Sequence, residues 1–217
     1  MIQKPNFKKA YILANEMLVA SKSITTFPFD VEKVVSEETD LKFCSYKRAL
    51  EKFGLNCFDL GSDSSVLTKL HGKNIVFYNQ DECDVREPFN RLHETGHFLL
   101  NHKTDIKEND ALYGIQEIET NYFASQMLLP FQILKEIERR GVKIDERFLM
   151  KHFGVSFSCA KHRAETLNKR IFLTNEEKIF DDIILMKFSK FIDSIAKERH
   201  FYSCWDDPMQ KERDSWQ

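Results

Sequence analysis

The sequence is short of several things, and each shortage excludes a class of protein. Nowhere do eighteen apolar residues follow one another, so no membrane-spanning helix is expected. Lys8 and Lys9 precede Tyr11-Ile12-Leu13-Ala14, but Asn15 and Glu16 interrupt that run; it makes a poor signal-peptide core, and the expected location is cytoplasmic. The five cysteines (Cys44, Cys57, Cys83, Cys159, Cys204) are odd in number and never spaced C-x-x-C, which argues against a disulfide framework and a structural zinc finger. A formal net charge of −2 gives no global case for nucleic acid or an anionic membrane. Glycine is scarce at 7 residues while phenylalanine reaches 19, which points to a helix-rich, aromatic-packed interior. With 217 residues, the chain has room for one sizeable domain with appendages.

What is present centres on His93-Glu94-Thr95-Gly96-His97. On a helix, H-E-x-x-H puts both imidazoles on one face, one turn apart, where they can grip one zinc ion. The intervening Glu94 can then take a proton from a zinc-bound water. Phe89, Leu92, His93, Gly96, His97 and Leu100 fall on one stripe, so the histidines are expected to point inward with the apolar face. Gly96 costs about 1 kcal/mol against alanine inside a helix, and a close approach by a strand or a substrate backbone would explain it. A third ligand is needed. Leu100 stands where the longer H-E-x-x-H-x-x-G-x-x-H motif needs glycine, so His102 is read as a surface or supporting histidine. On the next helix Glu117 is preferred over Glu119, because Glu117 shares a face with Asn121, Ala124 and Leu128. Asn121, one turn along, is placed to hydrogen-bond a metal ligand. The oxyanion-stabilising residue stays open among Tyr113, Tyr122, His71 and Tyr78.

Around that centre the pattern predicts an α+β, mostly helical fold. The H-E-x-x-H helix packs beside a small β-sheet or hairpin, and a C-terminal helical segment follows. An amphipathic helix spans Asn6 to about Ala20, and Asp30 caps a short helix through Ser36. Leu41–Tyr46 reads as a strand, and a helix from Arg48 to Phe53 stops at Gly54. Leu60–Ser65 is loop-like, and Val66–Leu70 with Asn74–Tyr78 makes a hairpin whose second strand is apolar enough to be buried on both faces. Asp84 and Glu87 suggest a reciprocal cap for the H-E-x-x-H helix, which runs from Arg86 to about His102. Lys103–Ala111 is expected to be a polar loop. A second long helix covers about Gly114 to Leu129, followed by helices over Phe131–Arg140, Asp145–Phe153 and Ser156 to about Arg170. Thr174-Asn175-Glu176-Glu177 opens a last helix with Phe180, Ile183, Ile184, Phe188, Phe191, Ile192 and Ile195 along one side; docking onto the body is preferred over a dimer or capture surface.

Phe89 through Pro130 resembles the ImmA/IrrE family of metallo-endopeptidases. The carriers are Arg86, Phe89, His93, Glu94 and His97, then Glu117, Glu119, Asn121, Phe123, Ala124, Leu128 and Pro130. Phe153-Gly154-Val155-Ser156 and the helix with Arg163 resemble the family's following segment. Arg91, Leu92, Thr95, Asn90 and Thr120 depart from the family pattern without removing a ligand or the base. The resemblance implies a zinc endopeptidase that cuts a cognate helix-turn-helix repressor or regulator, often in mobile elements or toxin–antitoxin loci. The chain is expected to divide into a metallopeptidase core (1–130), a small helix-turn-helix-like segment packed on it (131–171), and a C-terminal helix with an irregular tail (172–217), the last without a counterpart in the family. Rival readings are a DNA-binding regulator built on 145–167, where Phe157 and Cys159 look like packing residues, and a member that keeps its zinc without cleaving.

Overall fold

The computed structural model describes residues 4–103, 110–167, 169 and 175–197. It is an α+β fold dominated by helices. Helix α1 (Phe7–Ala20) is capped by Asn6, whose side chain accepts from the Lys9 amide, and α2 (Val31–Glu38) is capped in the same way by Asp30. Strand β1 (Lys42–Ser45) leads into α3 (Tyr46–Phe53), which ends where Gly54 takes the left-handed conformation at φ 67°. A one-turn helix α4 (Cys57–Leu60), closed by an Asn56–Asp59 capping box, was not expected. The hairpin is present as β2 (Ser65–Leu70) and β3 (Lys73–Tyr78), turning at His71-Gly72.

The sheet has three strands in the order β1-β3-β2, with β1 parallel and β2 antiparallel to the central β3. Centrality explains the run Ile75-Val76-Phe77. Val76 joins Phe43 in the main core, while Ile75 and Phe77 pack with Cys44, Tyr46 and Ala49 in a second cluster against α3. Both faces of β3 are therefore buried, as its consecutive apolar residues require.

Helix α5 (Glu87–Leu100) carries the H-E-x-x-H motif. Its cap is corrected: Arg86 occupies the N-cap without a side-chain bond, Asp84 sits exposed in the preceding turn, and Asn101 closes the helix in the left-handed region. His102 thus lies beyond the helix. Helix α6 (Ala111–Leu128) starts three residues earlier than expected, because Asp110 caps it through the Leu112 amide. Most of the intervening polar stretch, 104–109, lies outside the described residues. The close neighbour of Gly96 is α6, neither a strand nor a substrate. A Cβ on Gly96 would lie 3.2 Å from Phe123 Cδ1 and 3.3 Å from Thr120 Cα.

Helices α7 (Phe131–Arg139), α8 (Glu146–Phe153) and α9 (Phe157–Leu167) follow, α8 capped by Asp145 and stopped by Gly154. Phe157 is 59% exposed, so it is not the packing residue that the sequence suggested; Ala160, Arg163 and Leu167 are the buried face of α9. The last helix is also corrected. It is broken into α10 (Asn175–Lys178), α11 (Asp181–Lys187) and a helical stretch over 189–197, with turns at 179–180 and at Phe188. Thr174 of the expected cap lies outside the described residues. The break at Phe188 lets Phe188 and Phe191 both reach the Phe27 ring, at 5.1 and 5.4 Å between centroids. Ile184, Phe188, Ile192 and Ile195 all belong to the main core.

A polar knot ties α1, α6, α7 and α9 together inside this core. Gln126 donates to Asn15 Oδ1 (2.9 Å) and Gln132 Oε1 (3.0 Å), and its own carbonyl oxygen accepts from Arg163 Nη2 (2.7 Å) and the Phe131 amide (3.2 Å). Arg163 Nη2 also donates to the Leu129 carbonyl, at 2.6 Å. These bonds satisfy backbone groups that Pro130 leaves at the break between α6 and α7.

Gly96→Ala tests the α5–α6 contact. Alanine gains about 1 kcal/mol of helix propensity, but overpacking against backbone atoms of Thr120 costs about 1–3 kcal/mol, so a net loss is expected in urea unfolding. A stabilised variant would show that the helices can separate freely.

Candidate metal centre

The i, i+4 spacing of α5 brings His93 and His97 together, and the approach of α6 at Gly96 sets Glu117 over them. His93 Nε2 and His97 Nε2 are 3.1 Å apart; Glu117 Oε2 is 3.3 Å from the first and Glu117 Oε1 3.2 Å from the second. Among the described residues these form the one cluster of three such side chains able to hold a metal ion. A tetrahedral ion bonded at roughly 2.0–2.1 Å has an edge of about 3.3 Å between ligand atoms. The donor set therefore fits a divalent metal in both chemistry and spacing. In the metal-free protein, burial opposes charging of the Glu117 carboxyl, but hydrogen bonds from both histidines and their charge hold it down to about 2. Burial likewise opposes protonation of His93, yet its bond to Glu117 and the charges of Glu94 and Glu117 raise it above the ordinary histidine value. A proton thus competes for the place that the metal would take.

Each imidazole is oriented from behind. His93 Nδ1 lies 3.1 Å from Asn121 Oδ1, so its N–H donates there and Nε2 keeps a free lone pair. His97 is held by a longer chain. His102 Nε2 meets Glu119 Oε2 at 2.8 Å, and His102 Nδ1 meets His97 Nδ1 at 3.1 Å. With the Nε2 proton given to Glu119, His102 Nδ1 accepts from His97 Nδ1, and His97 Nε2 is also left as a lone pair. Glu119 in turn accepts from the Asn6 amide at 2.5 Å. The structure thus places Glu119 behind His102, outside the three-residue cluster. His102, its side chain only 6% exposed, supports His97. Its own pKa is lowered, by burial first and by the neighbouring His97 charge, against the opposing bond from Glu119.

Glu94 lines the same cleft, about 470 Å³ in volume, with the two histidines and Glu117. Ser65 Oγ donates to one carboxylate oxygen (3.0 Å) and the Leu67 amide of β2 to the other (2.8 Å). Two of the roughly four acceptor sites of a carboxylate remain for a water molecule. Of the four oxyanion candidates, Tyr113 lines this cleft and Tyr122 lines the neighbouring groove. His71 is exposed in the hairpin turn, and Tyr78 lies under the Arg91 guanidinium, 3.9 Å from its ring centroid. Lys103 also lines the cleft; nothing in its sequence context singled it out. Ser65 was missed for a different reason: its role depends on how the hairpin lies against α5.

Zinc titration against a competing chelator separates the two glutamates. Glu117→Gln is expected to lower affinity by about a hundredfold or more, and Glu119→Gln by about 10–100-fold through loss of the His102 support. The opposite order would reassign the third ligand.

No match was found among the curated proteins with which the chain was compared. Residues 50–165, from α3 to near the end of α9, match the model of peptidase family M78, described as the IrrE N-terminal-like domain. That match takes in the sheet hairpin, the H-E-x-x-H helix and Glu117 and covers more than half of the chain, which therefore belongs to the IrrE-like family of metallopeptidases.

Proposed function

We propose that the protein is a zinc-dependent endopeptidase of the ImmA/IrrE type that cleaves a cognate repressor or regulatory protein. The observation that carries this is the set of donor atoms of His93, His97 and Glu117, 3.1–3.3 Å apart, with the Glu94 carboxylate lining the same cleft. Held by those three residues, zinc would supply Lewis acidity toward the attacking water and the scissile carbonyl. Glu94 is the general base. Fixed on β2 by Ser65 and Leu67, it takes the proton of the attacking water and returns it to the leaving amine nitrogen. Asn121 and the His102–Glu119 pair keep the imidazoles correctly turned toward the metal position. Tyr113, in the wall of the cleft, is the candidate donor to the developing oxyanion.

A regulator that binds DNA through α9 finds less support. Arg163, on that helix, is 3% exposed, so the phosphate backbone of a duplex lying on the surface would not reach it.

Metal analysis together with cleavage assays against candidate helix-turn-helix repressors tests the reading. Wild type and Glu94→Gln are both expected to hold about one zinc per chain, while hydrolysis by the variant falls by roughly a thousandfold. Equal cleavage by both would remove Glu94 from the mechanism, and a wild type without zinc would remove the site.

A further inference from the structure

Beside the metal cleft lies a second and larger concavity of about 940 Å³, near the upper end of ligand pockets at roughly 300–1,000 Å³. The two are continuous: Phe89, Asn90 and Asn121 line both. The concavity runs from there between α6 and α9, so a chain with its scissile bond at His93 and His97 would pass into it.

Its lining has two characters. One wall is an apolar platform. Phe7 stacks edge-on against Tyr122 at 5.1 Å, and Ile118 stands beside the pair. Phe7 and Ile118 are each 46% exposed, and together with Tyr122 they form an apolar patch inside the groove. Ile118 directly follows Glu117, which puts this platform next to the metal ligands. The other wall is basic: Arg86, Arg163 and Lys169 supply its cations, and His162 stands among them. No carboxylate is found among the described residues that line the concavity.

Arg163 is the most informative of these. It is buried to 97%, yet no carboxylate pairs with it among the described residues, and its Nε has no hydrogen-bond partner. A buried guanidinium without a counter-charge is costly to maintain for packing alone. An anion entering the groove would remove that cost.

We infer that this groove is the substrate-binding subsite of the peptidase, shaped for a peptide segment that sets a large apolar side chain on Phe7, Ile118 and Tyr122 and an acidic side chain toward Arg86, His162 and Arg163. The inference rests on the peptidase reading for its direction, and it adds the chemical class of the segment flanking the cut. Charge complementarity and continuity with the metal cleft select the occupant. A basic or wholly polar segment would leave the apolar platform uncovered and the buried cation unpaired.

The test uses the full chain as the zinc-loaded Glu94→Gln variant, which binds without turnover. Two fluorescent twelve-residue peptides, each with one phenylalanine, differ only in having two glutamates or two glutamines after it. Fluorescence anisotropy is expected to show the glutamate peptide binding about tenfold more tightly at low salt. The added pair Arg86→Glu and His162→Glu, both exposed and so tolerable to the fold, should abolish or invert that preference. Ile118→Asp should weaken both peptides. Equal binding of the two peptides, or a preference that survives the charge reversals and an Arg163→Gln change, would overturn the subsite. Cleavage by wild type is scored separately. Tight, charge-selective binding with no hydrolysis would refute the peptidase reading and leave the subsite standing, whereas hydrolysis of both peptides at equal efficiency would do the reverse.

Discussion

The contact on which the site depends is the crossing of α5 and α6 at Gly96. Only hydrogen stands between the α5 backbone and Thr120 and Phe123 of its neighbour, and that closeness decides how far a glutamate on α6 can reach. Glu117 spans the gap to two histidines that are themselves fixed one turn apart. A wider helix pair would move Glu117 away from both histidines at once. Metal affinity in this fold is therefore a property of helix packing as much as of ligand chemistry.

Around that crossing, polar groups do the orienting and apolar groups do the holding. Asn121, Glu119 and His102 fix imidazole tautomers, and Ser65 with the β2 backbone fixes the Glu94 carboxylate. Behind them, Leu92, Phe123 and Leu128 are sealed in the main core. Near the α6–α7 break the order is inverted, because a knot of Asn15, Gln126, Gln132 and Arg163 is buried among those same side chains. The bonds of this knot join four helices, while Asn15 Nδ2, Gln132 Nε2 and Arg163 Nε are left without partners.

Much of this could be read before any coordinates. Helix ends marked by Asp30, Gly54, Asp145 and Gly154 lie where local rules put them, because a cap is satisfied by residues three or four positions away. The stripe through His93 and His97, and the face shared by Glu117 and Asn121, follow from helical geometry alone. What escaped was long-range. The parallel pairing of β1 with β3 joins strands about thirty residues apart, and no turn signal announces it. Asp84 fits a capping pattern, yet the chain turns before it can act, and Arg86 takes the cap position. The last helix has an unbroken apolar periodicity, but reaching Phe27 with both Phe188 and Phe191 requires a bend that periodicity does not encode. His102 could be placed near the site but not given a partner, because its partner Glu119 is on another helix.

The amide of Asn6 gives the centre an unexpected dependence on folding order. That amide anchors Glu119, Glu119 anchors His102, and His102 turns His97, so a contact between positions 113 residues apart completes the orientation of a metal ligand. Loop closure over such a span is among the slower events in forming a domain. A chain still emerging, or one whose first helix has peeled away, would carry the H-E-x-x-H sequence without its final geometry. The geometry of the metal centre is in this way tied to the completeness of the native state.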